Sequence, residues 1–542
     1  MSDATELVDQ TCDVLIVGFG PVGAAIATLL GRYGVRTVVV EREEEIFMAP
    51  RAIALDNEAL RILQMVGLPD DAFEKLTIPC VRMHCPHVGE FATLDTSGDL
   101  DGHPRLVTFY QPDLERALRA AVARSPDVTV HTSVEFVDLA DDSGSVRATV
   151  RAVGSERCAT IRARYLVGAD GARSKVRALI GQNPEGTSYV EEWLIVDAIG
   201  VAKSIDHIEF LCDPQRPTPH MPAPGGRTRW EFMLKPGESK ESMESDETVR
   251  ALIAPWTSSA DVTIERKAIY RFAARSCDRY RVGRVFLAGD AAHVTPPFVG
   301  QGLVAGLRDA VNLSWKLAWV LKERASQAIL DSYDEERRPH AAKMIALARW
   351  MGQLVMPPTR ARAVLLHGAM KLLRLIPGLR ALTEDLRIKP QNVYPEGLFV
   401  EGKGAFTRGA WFPQGPVRRA EGAEGAEGAV ERSDDVLGPG FALVGLGADP
   451  SASLDAVTAR AWAAAGGSIV ALSAGAHLGD RAIAAQALDE RLMPGRLRPA
   501  WCVVVRPDRT ILHDGPAAEA DRLVREALLE IGAMPLVTRE AA

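Results

Sequence analysis

The stretch Val14-Leu15-Ile16-Val17-Gly18-Phe19-Gly20-Pro21-Val22-Gly23 decides how this chain is read. The apolar run Cys12 to Val17 predicts a buried parallel strand, Pro21 to Tyr33 carries Ile26, Leu29 and Leu30 at helical spacing, and Val35 to Val40 predicts a second buried strand. In the turn, Gly18, Gly20 and Gly23 fit G-x-G-x-x-G: the first permits the tight bend, the second lets a pyrophosphate reach the backbone, and the third lets helix rest on strand. Pro21, which has no N–H, opens the helix, and the N–H groups from Val22 onward face the phosphates. Glu41, with Arg42 beside it, closes the second strand about twenty residues on, where a carboxylate accepts from a ribose diol. The unit predicts a dinucleotide site. No second unit of this kind occurs in the chain, so one tightly held dinucleotide is expected.

Composition sets the outer limits. With 542 residues the chain is long enough for two or three domains, because single cores stop growing near ~250–300 residues. A net charge of -8 argues against a nucleic-acid binder. Seven cysteines, odd in number and scattered, imply no disulfide framework and suit a reducing cytoplasm. The N-terminal residues carry no secretory pattern, and no apolar run of the ~18 residues needed to span a bilayer occurs. Neither a nucleic acid nor a membrane is expected as a partner.

A second glycine-rich stretch, Leu287 to Gly302, follows the strand Val285 to Ala288 and contains Gly289, Asp290, His293, Pro296, Pro297, Gly300, Gln301 and Gly302. A helix then opens at Leu303, with Leu307, Ala310, Leu313 and Leu317 on one face. Its N-terminus projects positive partial charge, which suits a reduced isoalloxazine bearing negative charge at N1 and O2. Asp290 is placed to bind a ribityl hydroxyl, and the two prolines stiffen the loop beside the ring. Between the two stretches, strand Tyr165 to Ala169 runs into Asp170-Gly171-Ala172-Arg173-Ser174-Lys175-Val176-Arg177.

The ordered set of G-x-G-x-x-G with Glu41, GADGARSKVR and GDAAHVTPPFVGQG resembles the group A flavoprotein aromatic hydroxylases of the para-hydroxybenzoate hydroxylase fold. Pro50-Arg51-Ala52 with Asp56 and Glu58, Gln111-Pro112-Asp113-Leu114-Glu115, and Asp309 to Leu317 extend the resemblance over about residues 10 to 350. Arg229 to Glu238 and Tyr270-Arg271-Phe272 are most similar to the 3-(3-hydroxyphenyl)propionate hydroxylases. The resemblance implies FAD, with NADH or NADPH as transient reductant and O2 as oxidant. Oxygen then passes through a flavin C4a-hydroperoxide to a phenolic ring.

It also implies site residues. Arg51 is a cation on the flavin or nicotinamide side, Gln111, Asp170, Gly289 and Asp290 contact the cofactor chain, and Pro297, Gly300, Gly302 and Leu303 border the ring. Some relatives carry a histidine two residues after that arginine, whereas this chain has Ile53. The phenol-activating base therefore stays open among His220, Tyr270 and His293. Arg227 and Arg229 can pair with a substrate carboxylate, with solvated strand charges as the plainer reading. Cys80, His84, Cys85 and His87 alternate along a presumed strand without a second ligand pair, so no metal is expected. Two alternatives stay open: a Baeyer–Villiger or epoxidising oxygenase of the same fold on a polycyclic or polyketide substrate, and a flavin-binding protein without catalysis.

The expected fold class is α/β, with a Rossmann-type FAD domain, an inserted antiparallel-sheet substrate domain and a C-terminal thioredoxin-like domain. The boundaries are 1–80, 105–185 and 275–375 for FAD; 81–104 and 186–274 for substrate; 376–435 for a linker; and 436–542 for the last domain. Within them, Asp113 to Arg124 is predicted helical, Val128 to Val167 an antiparallel meander turning at Asp141 to Gly144, and Leu330 to Leu382 helical. Gly422 to Gly428 repeats Glu-Gly-Ala as a low-complexity loop. From Phe441 the predicted order is strand, helix Ala456 to Ala464, strands Ile469 to Ser473, Trp501 to Val505 and Thr510 to His513, and a helix to about Ile531. Only Cys502 falls there, without C-x-x-C, so packing or homodimer formation is the expected role of this domain rather than dithiol chemistry.

Overall fold

The computed structural model describes residues 9–48, 51–142, 144–202, 204–257, 262–376, 389–419, 429–473, 482–493 and 500–534. Pro50, Ser143 of the expected turn, the Glu-Gly-Ala repeat and the end of the helical stretch before Leu382 lie outside these residues. The protein is mixed α/β and divides into two compact units, one of Met1–Gly31, Arg36–Asp309 and Ala341–Gln391, the other of Arg32–Val35, Ala310–His340 and Asn392–Ala542. Among the described residues, no helix is long and apolar enough to cross a membrane.

In the first unit, an eight-stranded sheet is built around Gln10–Val17. Val128–His131, Thr37–Val40, Gln10–Val17, Cys158–Gly168 and Val285–Leu287 run parallel in that order. Val128–His131 therefore leaves the predicted meander. It pairs with Thr37–Val40, and only Val134–Asp142, Ser145–Ala152 and Cys158–Gly168 turn back on one another. The strand Cys158–Gly168 is divided between two environments. Its first half alternates buried and open positions beside an antiparallel neighbour, while Tyr165 to Gly168 is wholly buried between parallel strands, as a sheet covered on both faces requires.

A second eight-stranded sheet takes Gly89–Asp95, Cys80–Cys85, Ile208–Leu211, Thr218–Ala223, Arg227–Met233, Glu185–Ile199, Thr263–Ser276 and His293–Val294 in that order. It is antiparallel except where Ile208–Leu211 runs parallel to Cys80–Cys85. Alternation gives it two apolar faces. Trp230, Phe232, Leu194 and Val196 pack on one side with Val249 and Ile253 of the helix Asp246–Ile253. Trp193, Met83 and Phe272 pack on the other, with Phe298 and Leu354. The edge strand His293–Val294 belongs to the second glycine stretch and pairs with Arg275 and Ser276, so that stretch is fixed to this sheet.

The predicted helix from Leu330 is interrupted. Ser332–Val355 ends before Pro357 and Pro358, and Arg360–Leu373 restarts with Thr359 accepting from the Arg362 N–H, because consecutive prolines cannot continue the hydrogen-bond ladder.

The second unit contains a seven-stranded mixed sheet. Phe441–Leu446 and Gly467–Ser473 are parallel across the helix Ala456–Ala464, and Trp501–Val505 and Ile511–Pro516 add antiparallel strands before the helix Ala520–Glu530. Ile483–Ala487 is a further strand that the sequence pattern did not predict. Pro416–Arg419 and Val430–Arg432 also enter the sheet, so part of the stretch read as a linker over 376–435 is structured. Their burial comes from partners distant in sequence, which a local pattern does not carry.

Candidate functional site

The two glycine stretches meet in space. Val22 of the first packs against the second stretch and the helix that follows it: an added Cβ on Gly289 would lie 3.1 Å from Val22 Cγ2, and one on Gly306 only 2.5 Å from it. Within the first turn, a Cβ on Gly23 would stand 2.0 Å from the Gly18 carbonyl oxygen, so the helix Pro21–Arg32 rests directly on the turn. A Cβ on Gly20 would meet nothing within 4 Å, which leaves the turn open where a pyrophosphate approaches. Glu41 accepts the Phe19 N–H at 2.7 Å and the Glu43 N–H at 2.9 Å. An ionised carboxylate has roughly four acceptor positions, so Glu41 keeps capacity for a ribose diol. Arg42 is 68% exposed and pairs with Glu43. The open turn and the oriented carboxylate fit the adenosine half of FAD.

Around the second stretch the polar groups form a connected frame. The Asp309 carboxylate accepts the Gly289 N–H at 2.9 Å and faces His293 Nε2 at 2.6 Å, all three buried. His293 thus holds the loop through Asp309. Asp290 pairs with Arg51 at 2.6 Å, and Ala52 next to it donates to Gln111 Oε1 at 3.1 Å. Asp170 accepts from Ser174 Oγ and from the Lys175 and Val176 N–H groups, so its carboxylate fixes the start of the short helix Lys175–Leu179. Burial pushes that carboxyl above its ordinary value. Arg177 donates to the Ala172 and Ala291 carbonyls, joining this motif to the second glycine stretch. Pro297 opens a single 3-10 turn, Gly300 ends it at φ 63°, and Gly302 and Leu303 begin the helix Gly302–Leu321. These residues fit the ring end of the cofactor.

Sequence patterns did not foresee the group that anchors this helix start. Gln301 donates to Asp56 at 2.9 Å and accepts from Arg308 at 3.1 Å; Arg308 reaches Glu58 at 2.7 Å, and Lys389 bridges Asp56 and Glu58 at 2.6 and 2.8 Å. Burial alone would raise the Glu58 carboxyl, but Arg308 and Lys389 outweigh it and hold the group at about 2. Asp56 and Glu58 stand out in the sequence, whereas Lys389 is more than 300 residues away from them and has no local signal.

The sheet face carrying Trp193 and Phe272 receives Phe298 from the ring-side loop, with ring centroids 5.8 Å and 6.0 Å away respectively. On the same face, Arg229 binds Asp197 through two hydrogen bonds at 2.6 and 2.9 Å, Arg266 adds a third at 3.1 Å, and Arg266 also donates to the Tyr270 hydroxyl at 2.8 Å. Burial works against the Asp197 carboxylate, yet the two guanidiniums hold its carboxyl below the ordinary value. Arg229 further donates to the Arg51 carbonyl at 3.0 Å, linking this face to the Arg51–Asp290 pair. Arg229 is therefore a buried network residue rather than a solvated charge, and Arg227 pairs with Glu265 and covers the Tyr110 ring.

His220 lies elsewhere. It is 2% exposed and stacks on Trp230 at 5.2 Å, on the opposite face of the sheet from Phe298 and Tyr270. Alternation decides this, because His220 is paired with Trp230 while its neighbour Met221 is paired with Arg229. Ile53, at the position where some relatives carry a histidine, packs against an apolar cluster with Val81 and Met221. Among the described residues, no group of His, Cys, Asp and Glu is arranged to hold a metal.

The pattern of the FAD binding domain family matches residues 11–348, and that of the HcaD C-terminal domain matches residues 409–530. The chain belongs to this FAD-binding family. It is 38% identical over 521 residues to the 3-(3-hydroxy-phenyl)propionate/3-hydroxycinnamic acid hydroxylase of Burkholderia cenocepacia (strain HI2424), covering 93% of this chain and 94% of that one. It is 34% identical over 467 residues to the enzyme of the same name from Escherichia coli (strain K12 / DH10B), covering 86% and 83%. The fold matches the flavin-dependent monooxygenase PieE with a TM-score of 0.79 at 22% identity, over 97% of this chain and 100% of PieE. Aklavinone-11 hydroxylase matches with a TM-score of 0.74 at 22% identity, over 96% of this chain and 99% of that one. The protein is an FAD-dependent aromatic hydroxylase.

Proposed function

We propose that the protein hydroxylates an acidic phenol of the 3-(3-hydroxyphenyl)propionate type, using NADH or NADPH and O2. The observation that carries this reading is the convergence of Val22 on Gly289 and Gly306, in a loop whose Phe298 enters the aromatic face of the second sheet. The names of the relatives supply the substrate class. In this reading the first unit combines a Rossmann-type FAD domain with an inserted substrate domain. The strand–helix–strand and strand–strand–helix order from Phe441 to Glu530 supports a thioredoxin-like domain in the second unit.

The bound flavin supplies the two-electron reduction and the activation of O2. The remaining work belongs to the chain. The N–H groups of the Gly18–Gly23 turn bind the pyrophosphate, and Glu41 orients the ribose. Asp290, with Arg51 and Gln111, positions the cofactor chain, while Pro297, Gly300, Gly302 and Leu303 flank the ring. The N-terminus of Gly302–Leu321 stabilises negative charge there. Trp193, Phe272 and Phe298 exclude water and pack against the substrate ring, which protects the activated oxygen from loss to solvent.

The test is to purify the protein, record its visible spectrum, and follow NADH and NADPH oxidation with a phenol panel that includes 3-(3-hydroxyphenyl)propionate. A flavin spectrum, substrate-stimulated oxidation and a product bearing one oxygen from O2 are expected. Absence of bound or rebindable flavin overturns the reading, and ester formation from ketones replaces it with Baeyer–Villiger chemistry.

A further inference from the structure

Glu231 is a buried carboxylate on the ring-side face of the central strands to which, among the described residues, no hydrogen bond is donated. It lies on Arg227–Met233, whose alternation puts Trp230 and Phe232 into the far core and sends Arg229, Glu231 and Met233 to the side shared with Trp193, Phe272 and Phe298. Glu231 is 7% exposed, and among the described residues none donates a hydrogen bond to its carboxylate. Its neighbour Asp197 differs. That carboxylate accepts three hydrogen bonds from Arg229 and Arg266 and already serves the framework.

A buried carboxylate without donors is unfavourable unless something else completes it. We propose that Glu231 is the catalytic base of this enzyme, accepting the hydroxyl proton of a phenolic substrate seated on this face; the proposal rests on the aromatic-hydroxylase reading above. The phenol O–H bond breaks, the new O–H bond forms on a Glu231 carboxylate oxygen, and the electron pair stays on the phenol oxygen, where it enriches the ring carbon that attacks oxygen. The proton returns to that oxygen in the product. No further oxidant or reductant is involved in this step.

The charged and titratable groups facing Glu231 are Arg229 on its own strand, Asp197 on Glu185–Ile199, and Arg266 on Thr263–Ser276, with Tyr270 beyond Arg266. Burial pushes the Glu231 carboxyl above its ordinary value, Arg229 and Arg266 oppose that, and Asp197 adds to it. The direction brings a carboxylate closer to the basicity that withdrawing a phenol proton needs. His220 is on the wrong face, His293 is committed through Nε2 to Asp309 in the frame of the glycine loop, and the Tyr270 hydroxyl already accepts from Arg266. Glu231 is thus a buried carboxylate on this face whose acceptor positions no described residue fills.

The test compares wild-type enzyme with Glu231→Gln and Glu231→Asp as flavin-loaded protein, with 3-(3-hydroxyphenyl)propionate as probe. Glu231→Gln is expected to lower hydroxylation on the order of 100-fold, the lower end of what a positioned base supplies. Flavin content and the dissociation constant of the probe should stay within about threefold. The acid limb of the kcat/KM profile should vanish, leaving a rate that climbs toward the pKa of the phenol, ~10. Glu231→Asp should keep an acid limb at a lower plateau, and it carries the test if the Gln variant loses flavin. A Gln variant with turnover within threefold and an unchanged acid limb overturns the proposal, as does an Asp variant without that limb. If wild type hydroxylates no phenol, the functional reading has failed instead.

Discussion

Removing the Asp309 carboxylate should detach the second glycine stretch from its support. Asp309→Ala leaves the buried Gly289 N–H and His293 Nε2 without their acceptor. Each orphaned buried donor costs about 1–3 kcal/mol, so the variant should lose roughly 4 kcal/mol. For a unit of this size that is a fall in Tm of about 5–10 °C. Because Gly289 lies against Val22, the loss should be felt at both ends of the cofactor site, and flavin should leave the protein during gel filtration. Differential scanning fluorimetry and the flavin-to-protein absorbance ratio measure the two effects. His293→Leu with Asp309→Leu removes donor and acceptor together, and should cost less than the sum of the single changes by about 1–3 kcal/mol. A melting temperature within about 1 °C of wild type with full flavin content, or strict additivity in the double variant, would refute the reasoning.

Two further outcomes follow from the same geometry. Glu58 titrates at about 2 in the fold against 4.5 for the free side chain, so its stabilisation is complete above about 4.5 and lost as the pH falls toward 2. The shift corresponds to about 3 kcal/mol, and Glu58→Gln should melt earlier at neutral pH while flattening the dependence of Tm on pH across that window. His220→Phe, which keeps a ring against Trp230, should leave hydroxylation within about threefold of wild type; a loss on the order of 100-fold would return His220 to the list of bases.

The strand–turn–helix framework around both glycine stretches is legible in the amino-acid order alone. G-x-G-x-x-G, Glu41 and the GD loop are local devices, each requiring glycines, a carboxylate or prolines at fixed spacing, so strand, turn and helix could be read directly from residues 12 to 40 and 285 to 320. Alternation over Trp230 to Leu234 likewise points to a strand, which the structure places at Arg227–Met233. Alternation does not say which face of a sheet meets the flavin loop. His220 and Glu231 differ only in that respect: the cross-strand pairing with Trp230 sends His220 into the far core, and the odd-numbered neighbours of Trp230 face Phe298. The tertiary structure also decided that Lys389 completes Asp56 and Glu58, and that Asp170 closes its own helix. Those arrangements depend on pairing across long separations, where desolvation and ion pairing act between residues that no sequence window contains.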